Sequence, residues 1–323
     1  MTVLLYLIFA VLLLLAAAFL WTRYLGRDAE TLVPQLGQLA KVDGGTLHYI
    51  DTGPRDGQVL VLIHGLSGQM QHMTYALSDA LAKDYRVIAV DRPGCGYSER
   101  DSDALADLED QGRMIGELLD QLKVDKPVLV GHSLGGGVSL AMALNRPEKT
   151  AGLALICPLT HPEDSPSDAF KGLAVTSPFL RRLIGNTIAV PMAKRTAPAV
   201  LQMVFRPDTC PDDFMIRGGA ALGLKPKAFI TASGDFVAAD SSIRRLAPRY
   251  GAELKIPGGV LFGGDDNVLS PAKHGDPMAA YGMVYETLPG TGHMIPITAS
   301  DGCEAFIRRM AASCARRCVG RTT

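Results

Sequence analysis

Short apolar runs recur along most of this 323-residue chain, and amphipathic stretches separate them. Runs typical of buried strands lie at 59–63, 86–90, 128–130, 152–156, 259–262 and 284–288. Between them, residues 105–122 place apolar side chains at spacings of three and four, which predicts an amphipathic helix. Strands that alternate with helices predict an α/β fold with an open, mostly parallel sheet and helices on both faces.

The alternation of predicted strands and helices stops between residues 157 and 249. The segment is rich in proline and in short helical pieces, and it lies between two predicted strands. We therefore predict that residues 158–249 form a helical cap inserted into a core made of residues 41–157 and 250–318.

The N-terminus holds the longest apolar stretch. From Thr2 to Trp21 no side chain is charged, and twenty helical residues span about 30 Å, the thickness of a bilayer's hydrocarbon core. This predicts a single-pass anchor over residues 1–25, followed by a linker over residues 26–40. Arg23 and Arg27 favour a cytoplasmic location for the rest of the chain. The alternative is a signal peptide cleaved near residues 16–18, which would give a secreted or periplasmic protein.

Composition narrows the possible partners. Lysine and arginine number 32 against 33 for aspartate and glutamate, and no basic run with aromatics supports nucleic-acid binding. The six cysteines include no C-x-x-C pair, so neither a zinc site nor a redox motif is indicated. We expect no metal, no cofactor and no nucleic-acid partner, and the oligomeric state is left open. Five arginines after residue 307 either lie against a bilayer or close the last helix as a solvated tail.

The stretch Gly131-His132-Ser133-Leu134-Gly135 lies between a predicted strand and a predicted helix. The pattern G-x-S-x-G belongs in this context, because the turn is tight and glycine has no side chain to obstruct it. The serine hydroxyl is then exposed at the apex, beside the free N–H groups of the helix N-terminus. Ser133 is therefore predicted to be a nucleophile.

A serine hydroxyl needs an imidazole to accept its proton and an acid to orient that imidazole. His293 follows the last predicted strand, at the sheet edge where open α/β sheets bind ligands. Asp265 and Asp266 follow the preceding strand, and Asp164 follows an earlier one. We prefer Asp266 as the acid, with Asp265 second and Asp164 weakest.

The order serine, acid, histidine resembles that of the α/β-hydrolases. Four more segments are similar to motifs of that family: HGLSG at 64–68 to its oxyanion loop, DRPGCGYS at 91–98 to D-x-P-G-x-G-x-S, GGDD at 263–266 to its G-x-x-D acid turn, and GTGH at 290–293 to its G-x-G-H turn. The resemblance implies an α/β-hydrolase fold with a catalytic triad and an oxyanion hole. The triad would be Ser133, Asp266 and His293, and the oxyanion hole would use the backbone N–H groups of Leu66 and Leu134.

The serine at position 133 argues against the haloalkane dehalogenases and epoxide hydrolases of this family, which have an aspartate at the corresponding position of the strand-to-helix turn. An apolar anchor ahead of a capped serine hydrolase resembles the membrane-anchored monoacylglycerol lipase and carboxylesterase branch. This predicts cleavage of a small-molecule ester or lipid through an acyl-enzyme. The alternatives are a carbon–carbon bond hydrolase, a cofactor-free haloperoxidase or perhydrolase, and a non-enzymatic binding member of the fold.

Overall fold

The computed structural model describes residues 1–164 and 167–319, without the side chains of Asp168 and residues 316–319. In this part of the chain one sheet contains nine strands. They are β1 (Gln38–Val42), β2 (Gly45–Thr52), β3 (Val59–Ile63), β4 (Arg86–Val90), β5 (Glu99–Arg100), β6 (Val128–His132), β7 (Gly152–Ile156), β8 (Gly258–Gly263) and β9 (Val284–Leu288).

The sheet has the order β1-β2-β4-β3-β6-β7-β8-β9, and the short β5 pairs with β2. All pairs from β4 to β9 along this order are parallel, whereas β1, β2 and β5 pair antiparallel. Strands β6, β7 and β8 are buried along their whole length, which explains their nearly continuous apolar sequence. The predicted α/β fold with a mostly parallel sheet is confirmed.

Helices surround this sheet. They are α1 (Thr2–Gly26), α2 (Ala29–Leu32), α3 (Gln71–Thr74), α4 (Ser78–Leu81), α5 (Leu108–Gln121), α6 (Leu134–Asn145), α7 (Pro178–Thr187), α8 (Ala189–Phe205), α9 (Pro226–Leu246), α10 (Tyr250–Glu253), α11 (Pro271–His274), α12 (Asp276–Ala279), α13 (Ile295–Thr298) and α14 (Ser300–Val319). Asp107 caps the N-terminus of helix α5, and its carboxylate accepts the Glu109 N–H at 3.0 Å. Its buried face of Met114, Ile115 and Leu118 lies in the main core, and α5 packs against α6.

Helices α7 to α10 lie in the segment between β7 and β8, where the described residues form no strand. Phe205 and Phe214 from this segment pack with Met294, close to the end of β9. The segment therefore covers the carboxyl edge of the sheet near the predicted site. The cap boundaries at 158 and 249, and with them the two core segments, stay predictions.

Helix α1 is the one described helix that is long and apolar enough to cross a membrane, a test that signal sequences near an N-terminus also pass. It packs against α7 and α8, and the Thr22 hydroxyl donates to the carbonyl of Thr187 at the end of α7. The predicted linker is partly structured, since α2 and the start of β1 lie within residues 26–40. Proline and glycine there mark turns around an edge strand that pairs with β2.

Two of the C-terminal arginines are engaged in ion pairs. Arg308 pairs with Asp84 and Glu304, and Arg309 pairs with Glu286. The side chains of the other three lie outside the described residues, so the hypothesis of a basic tail on the bilayer stays untested.

Candidate active site

Ser133 occupies a strained turn between β6 and α6. Its backbone has φ 54° and ψ −121°, a combination that side-chain-bearing residues rarely adopt. A Cβ on Gly131 would lie 2.5 Å from the Gly135 carbonyl oxygen, and a Cβ on Gly135 would lie 2.2 Å from the Ile63 carbonyl oxygen. Only glycine lets these backbones approach so closely, which is the physical reason for the G-x-S-x-G spacing.

Three backbone hydrogen bonds hold this conformation. The Ser133 N–H donates to the Ile156 carbonyl at 3.0 Å, and the Ser133 carbonyl accepts the N–H groups of Gly136 and Leu159, both at 2.9 Å. Contacts with β7 and with the chain beyond it therefore fix this turn, and Ser133 lines a cavity.

His293 lines the same cavity and is hydrogen-bonded to Asp266, with 2.7 Å between Nδ1 and Oδ2. The other carboxylate oxygen of Asp266 accepts the N–H groups of Val268 at 2.8 Å and Leu269 at 3.0 Å. Burial by itself raises the pKa of Asp266, but His293 and these two N–H groups outweigh it and lower the pKa below its ordinary value. The carboxylate is thus ionised at neutral pH and accepts its hydrogen bond from Nδ1–H of His293.

The other two candidate acids lie elsewhere. Asp265 is exposed, and the exposed side chain of Asp164 pairs with Lys273 at 2.8 Å. Of the three carboxylates considered from the sequence, the structure brings Asp266 to His293.

Two neighbouring histidines are held neutral. His132 contacts the His293 carbonyl through Nε2 at 3.0 Å, and burial together with the nearby His293 lowers its pKa to about 3. His64 accepts the Arg92 N–H through Nε2 at 3.0 Å and donates to the Gly65 carbonyl, and burial lowers its pKa well below the usual value. Both rings therefore support loops and add no charge beside His293.

The two N–H groups proposed for an oxyanion hole are available. Leu66 follows β3 and lines the Ser133 cavity, and Leu134 is the first residue of α6. Within the described residues neither N–H donates to a protein acceptor. Both are free to bind a negatively charged oxygen near Ser133.

The cavity itself measures about 300 Å³ and is mainly apolar. Its walls come from α8, α9 and the loops around them, with Phe170, Val190, Val200, Leu201, Val204 and Phe229 among the lining side chains. A larger groove of about 1140 Å³ on the cap is lined by Lys194, Arg206 and Asp208, but it includes neither Ser133 nor His293. The smaller cavity is therefore the candidate site.

Comparison with known proteins decides the family, because residues 58–299 match the profile described as alpha/beta hydrolase fold. The chain belongs to this family. It is 30% identical over 283 residues to the dihydrolipoyllysine-residue acetyltransferase component of the acetoin cleaving system of Pseudomonas putida, covering 84% of this chain and 69% of that protein. It is 34% identical over 155 residues to the 2-hydroxymuconate semialdehyde hydrolase of Pseudomonas sp. (strain CF600), covering 47% and 54%.

Among solved structures, a thermophilic esterase from Thermogutta terrifontis has a TM-score of 0.66 at 23% identity and covers 86% of this chain and 99% of that one. This likeness supports the fold alone. The proteins similar to this α/β-hydrolase have different activities in their names, so the substrate must be argued from the cavity.

Cys157, Asp266 and His293 form a buried cluster whose ligand-type atoms lie within 4.8 Å of one another. Burial and the nearby Asp266 carboxylate raise the pKa of the Cys157 thiol well above its usual value. Metals bind cysteine as the thiolate, whereas the Cys157 thiol keeps its proton. Asp266 and His293 are hydrogen-bonded to each other, so these three residues are a poor set of metal ligands.

A buried ion-pair network behind the oxyanion loop was missed from the sequence. Arg92 donates to the carbonyls of His64 and Gly65, both at 2.9 Å, and to Asp235 of α9 at 2.6 Å. Arg100 donates to the other oxygen of Asp235 at 2.6 Å. Arg92 lies in the D-x-P-G-x-G-x-S loop of this hydrolase family, but nothing in the sequence around Asp235 indicates its partners.

Proposed function

We propose that this α/β-hydrolase is a serine hydrolase that cleaves carboxylic esters through an acyl-enzyme, of the carboxylesterase or monoacylglycerol lipase type. The observation that carries the proposal is one cavity lined by both the strained Ser133 and the Asp266-bound His293. The free N–H groups of Leu66 and Leu134 support it, because ester cleavage develops negative charge on the carbonyl oxygen.

In the first half-reaction, Ser133 Oγ attacks the ester carbonyl carbon while His293 Nε2 accepts the hydroxyl proton. The carbonyl oxygen becomes an oxyanion, and each N–H donor stabilises it by about 3 kcal/mol. Asp266 stabilises the imidazolium and keeps Nδ1 protonated. His293 then gives its proton to the alkoxy oxygen as the carbon–oxygen bond breaks, which releases the alcohol and leaves acyl-Ser133.

In the second half-reaction, water gives a proton to Nε2 and attacks the acyl carbon. The carboxylic acid leaves as Ser133 recovers the proton from His293. No step requires a metal or a cofactor.

The charge of the cavity favours a neutral ester over an acidic substrate. Among the described lining residues Lys225 is the one charged side chain, and it is paired with Glu30. His72 is neutral near pH 7, since burial lowers its pKa to about 4. A dienone acid of the kind that a carbon–carbon hydrolase cleaves would bring a carboxylate into a cavity where no described lining residue is an unpaired cation.

The location of α1 supports an uncleaved anchor over a signal peptide. Cleavage near residue 18 would cut through the face that packs on the cap, which includes Leu15, Ala18 and Thr22. Arg23 and Arg27 at the end of α1 favour a cytoplasmic catalytic domain. Sequencing the N-terminus of the membrane-bound protein tests this, and a mature chain that begins near Phe19 contradicts it.

Labelling with a fluorophosphonate probe tests the nucleophile. We expect Ser133→Ala to abolish labelling and to lower kcat for p-nitrophenyl esters by about 10⁴-fold or more, without loss of fold. Ser67→Ala is the matched control, because Ser67 lines the same cavity. Labelling that persists in Ser133→Ala contradicts the proposal. A labelled enzyme that cleaves dienone acids or forms peracids, but not esters or monoacylglycerols, would have one of the alternative functions.

The acid is tested by comparing Asp266→Asn with Asp265→Asn. Asparagine at position 266 favours the wrong tautomer of His293, so we expect kcat to fall by about 10⁴-fold. Asp265 is exposed, and its replacement should leave kcat almost unchanged. If Asp265→Asn were the more damaging change, the triad as proposed would be wrong.

A further inference from the structure

The cap carries an apolar surface that no described element covers. On α8 and the residue before it, Ile188 and Met192 are 52% and 53% exposed and lie one helical turn apart. On the adjoining α7, Phe179 is 77% and Leu180 44% exposed. Single exposed apolar residues are ordinary, but four large ones on two packed helices mark a candidate interaction surface, which we call the patch.

Helix α1 packs against these same two helices. The positions of α1 with reduced exposure are Leu15, Ala18, Thr22, Leu25 and Gly26, and the spacings of three and four between the first four place them on one helical face. Leu15 lies eight residues before the first charge at Arg23, which is about 12 Å of helix rise. The cap side of α1 therefore begins well inside the stretch that is apolar enough to lie among lipid tails.

Another face of α8 lines the candidate site. Ala193, Ala197, Val200 and Val204 face the cavity that contains Ser133, whereas Ile188 and Met192 do not line it. Helix α8 is thus the wall between this cavity and the exposed apolar patch. Exposed Arg195 lies three positions after Met192 and so on the same side of α8, where a cationic side chain suits the phosphates of lipid headgroups.

We propose that α7 and α8 dock on the bilayer that α1 crosses, with Phe179, Leu180, Ile188 and Met192 among the lipid chains, and that a lipid ester enters the cavity directly from this bilayer along α8. The occupant of the patch is thus a phospholipid surface. Docking depends only on α1 being in a membrane, whereas the lipid-ester part rests on the proposed function.

Depth-dependent quenching tests the docking in the full-length protein. Trp21 is the single tryptophan, so Trp21→Phe combined with Met192→Trp gives one reporter on the patch. Trp21→Phe combined with Val284→Trp is the matched control, because Val284 is an exposed apolar residue on the edge strand β9. The proteins are reconstituted in phosphatidylcholine–phosphatidylglycerol vesicles with and without brominated acyl chains.

We expect bromolipid to cause loss of emission from position 192 and none from position 284. Equal emission loss at the two positions, or none at either, overturns the docking proposal. Carbonate extraction of the same samples shows whether α1 is inserted, so a failed anchor is distinguished from a cap that stays in water.

Kinetics tests the entry route. Met192→Glu should lower kcat/KM for monoacylglycerol embedded in vesicles and leave hydrolysis of soluble p-nitrophenyl acetate unchanged, because Met192 does not line the cavity. Ile216→Glu, at an exposed cap residue outside the patch, is the control and should change neither rate. An equal fall for both substrates in Met192→Glu contradicts the entry route. Wild-type protein that hydrolyses neither substrate refutes the proposed function instead, and the quenching result still stands.

Discussion

Asp235 is the carboxylate on which two buried arginines depend, and its replacement offers a strong test of the structure. Its side chain is fully buried, and its two oxygens accept from Arg92 and Arg100, each at 2.6 Å. The guanidinium of Arg92 is also fully buried, and that of Arg100 is 4% exposed. Asp235→Asn keeps the shape of the side chain but leaves two buried cations facing a neutral amide.

Breaking a buried ion pair from one side costs about 3–5 kcal/mol, because the remaining charge has lost both water and its partner. At roughly 2–4 °C per kcal/mol, Tm should fall by roughly 6–20 °C. Asp240→Asn provides the control on the same helix, since Asp240 pairs with Arg244 where both side chains are more than half exposed. An exposed pair one turn apart on a helix contributes little to stability, so the Tm of Asp240→Asn should stay close to that of the wild type.

The same change should also affect catalysis. Arg92 holds the carbonyls of His64 and Gly65, and therefore orients the Leu66 N–H beside Ser133. Loss of one oxyanion donor lowers kcat by about 10²–10³-fold. Thermal unfolding followed by circular dichroism, and kcat on a soluble ester below Tm, measure the two effects separately in the detergent-solubilised full-length protein. If Asp235→Asn shifted Tm no more than Asp240→Asn, the Asp235 carboxylate would not be needed to compensate the charges of Arg92 and Arg100.

Two further predictions concern buried histidines and close-packed glycines. Burial lowers the pKa of His72 to about 4 and that of His132 to about 3 in the folded protein. Below pH 6.5 these two histidines therefore bind protons in the unfolded chain but stay neutral in the folded one, so the folded state loses stability as the pH falls. At pH 5 each histidine should lower the free energy of unfolding by about 2 kcal/mol relative to pH 7. A Tm that is the same at pH 5 and pH 7 would contradict this prediction. Gly135→Ala places a Cβ 2.2 Å from the Ile63 carbonyl oxygen and should cost at least about 1–3 kcal/mol along with activity. Gly172→Ala is the control, because a Cβ at position 172 has no atom within 4 Å. If Gly172→Ala lowered Tm as much as Gly135→Ala, steric overlap would not explain the effect at position 135.

The sheet could be predicted from the sequence because its central strands are buried on both faces and leave continuous apolar runs. Ser133 and His293 stood out because the chemistry requires glycine-flanked turns at strand ends, and such turns are visible locally. The assignment of their roles, and of Leu66 and Leu134, stays a prediction until activity is measured.

Features that depend on distant partners could not be predicted in this way. The start of strand β1, residues 38–40, was assigned to a linker, because Pro34 and Gly37 hide an edge strand whose pairing with β2 leaves little periodicity. The pairing of Asp235 with Arg92 joins residues 143 positions apart, and a buried carboxylate in a helix looks like any polar residue until its partners are known. The contact of α1 with the cap was hidden for the same reason, since an apolar anchor has no visible preferred face.

The strained turn at Ser133 has a consequence for how this fold changes its chemistry. Close approach at Gly131 and Gly135 fixes the backbone, so the turn determines where a Cβ points and leaves open what that Cβ carries. A cysteine or an aspartate at position 133 would inherit the same direction, the same helix N-terminus and the same neighbouring N–H groups. The backbone that positions the side chain at position 133 is therefore independent of the chemical group which that side chain carries.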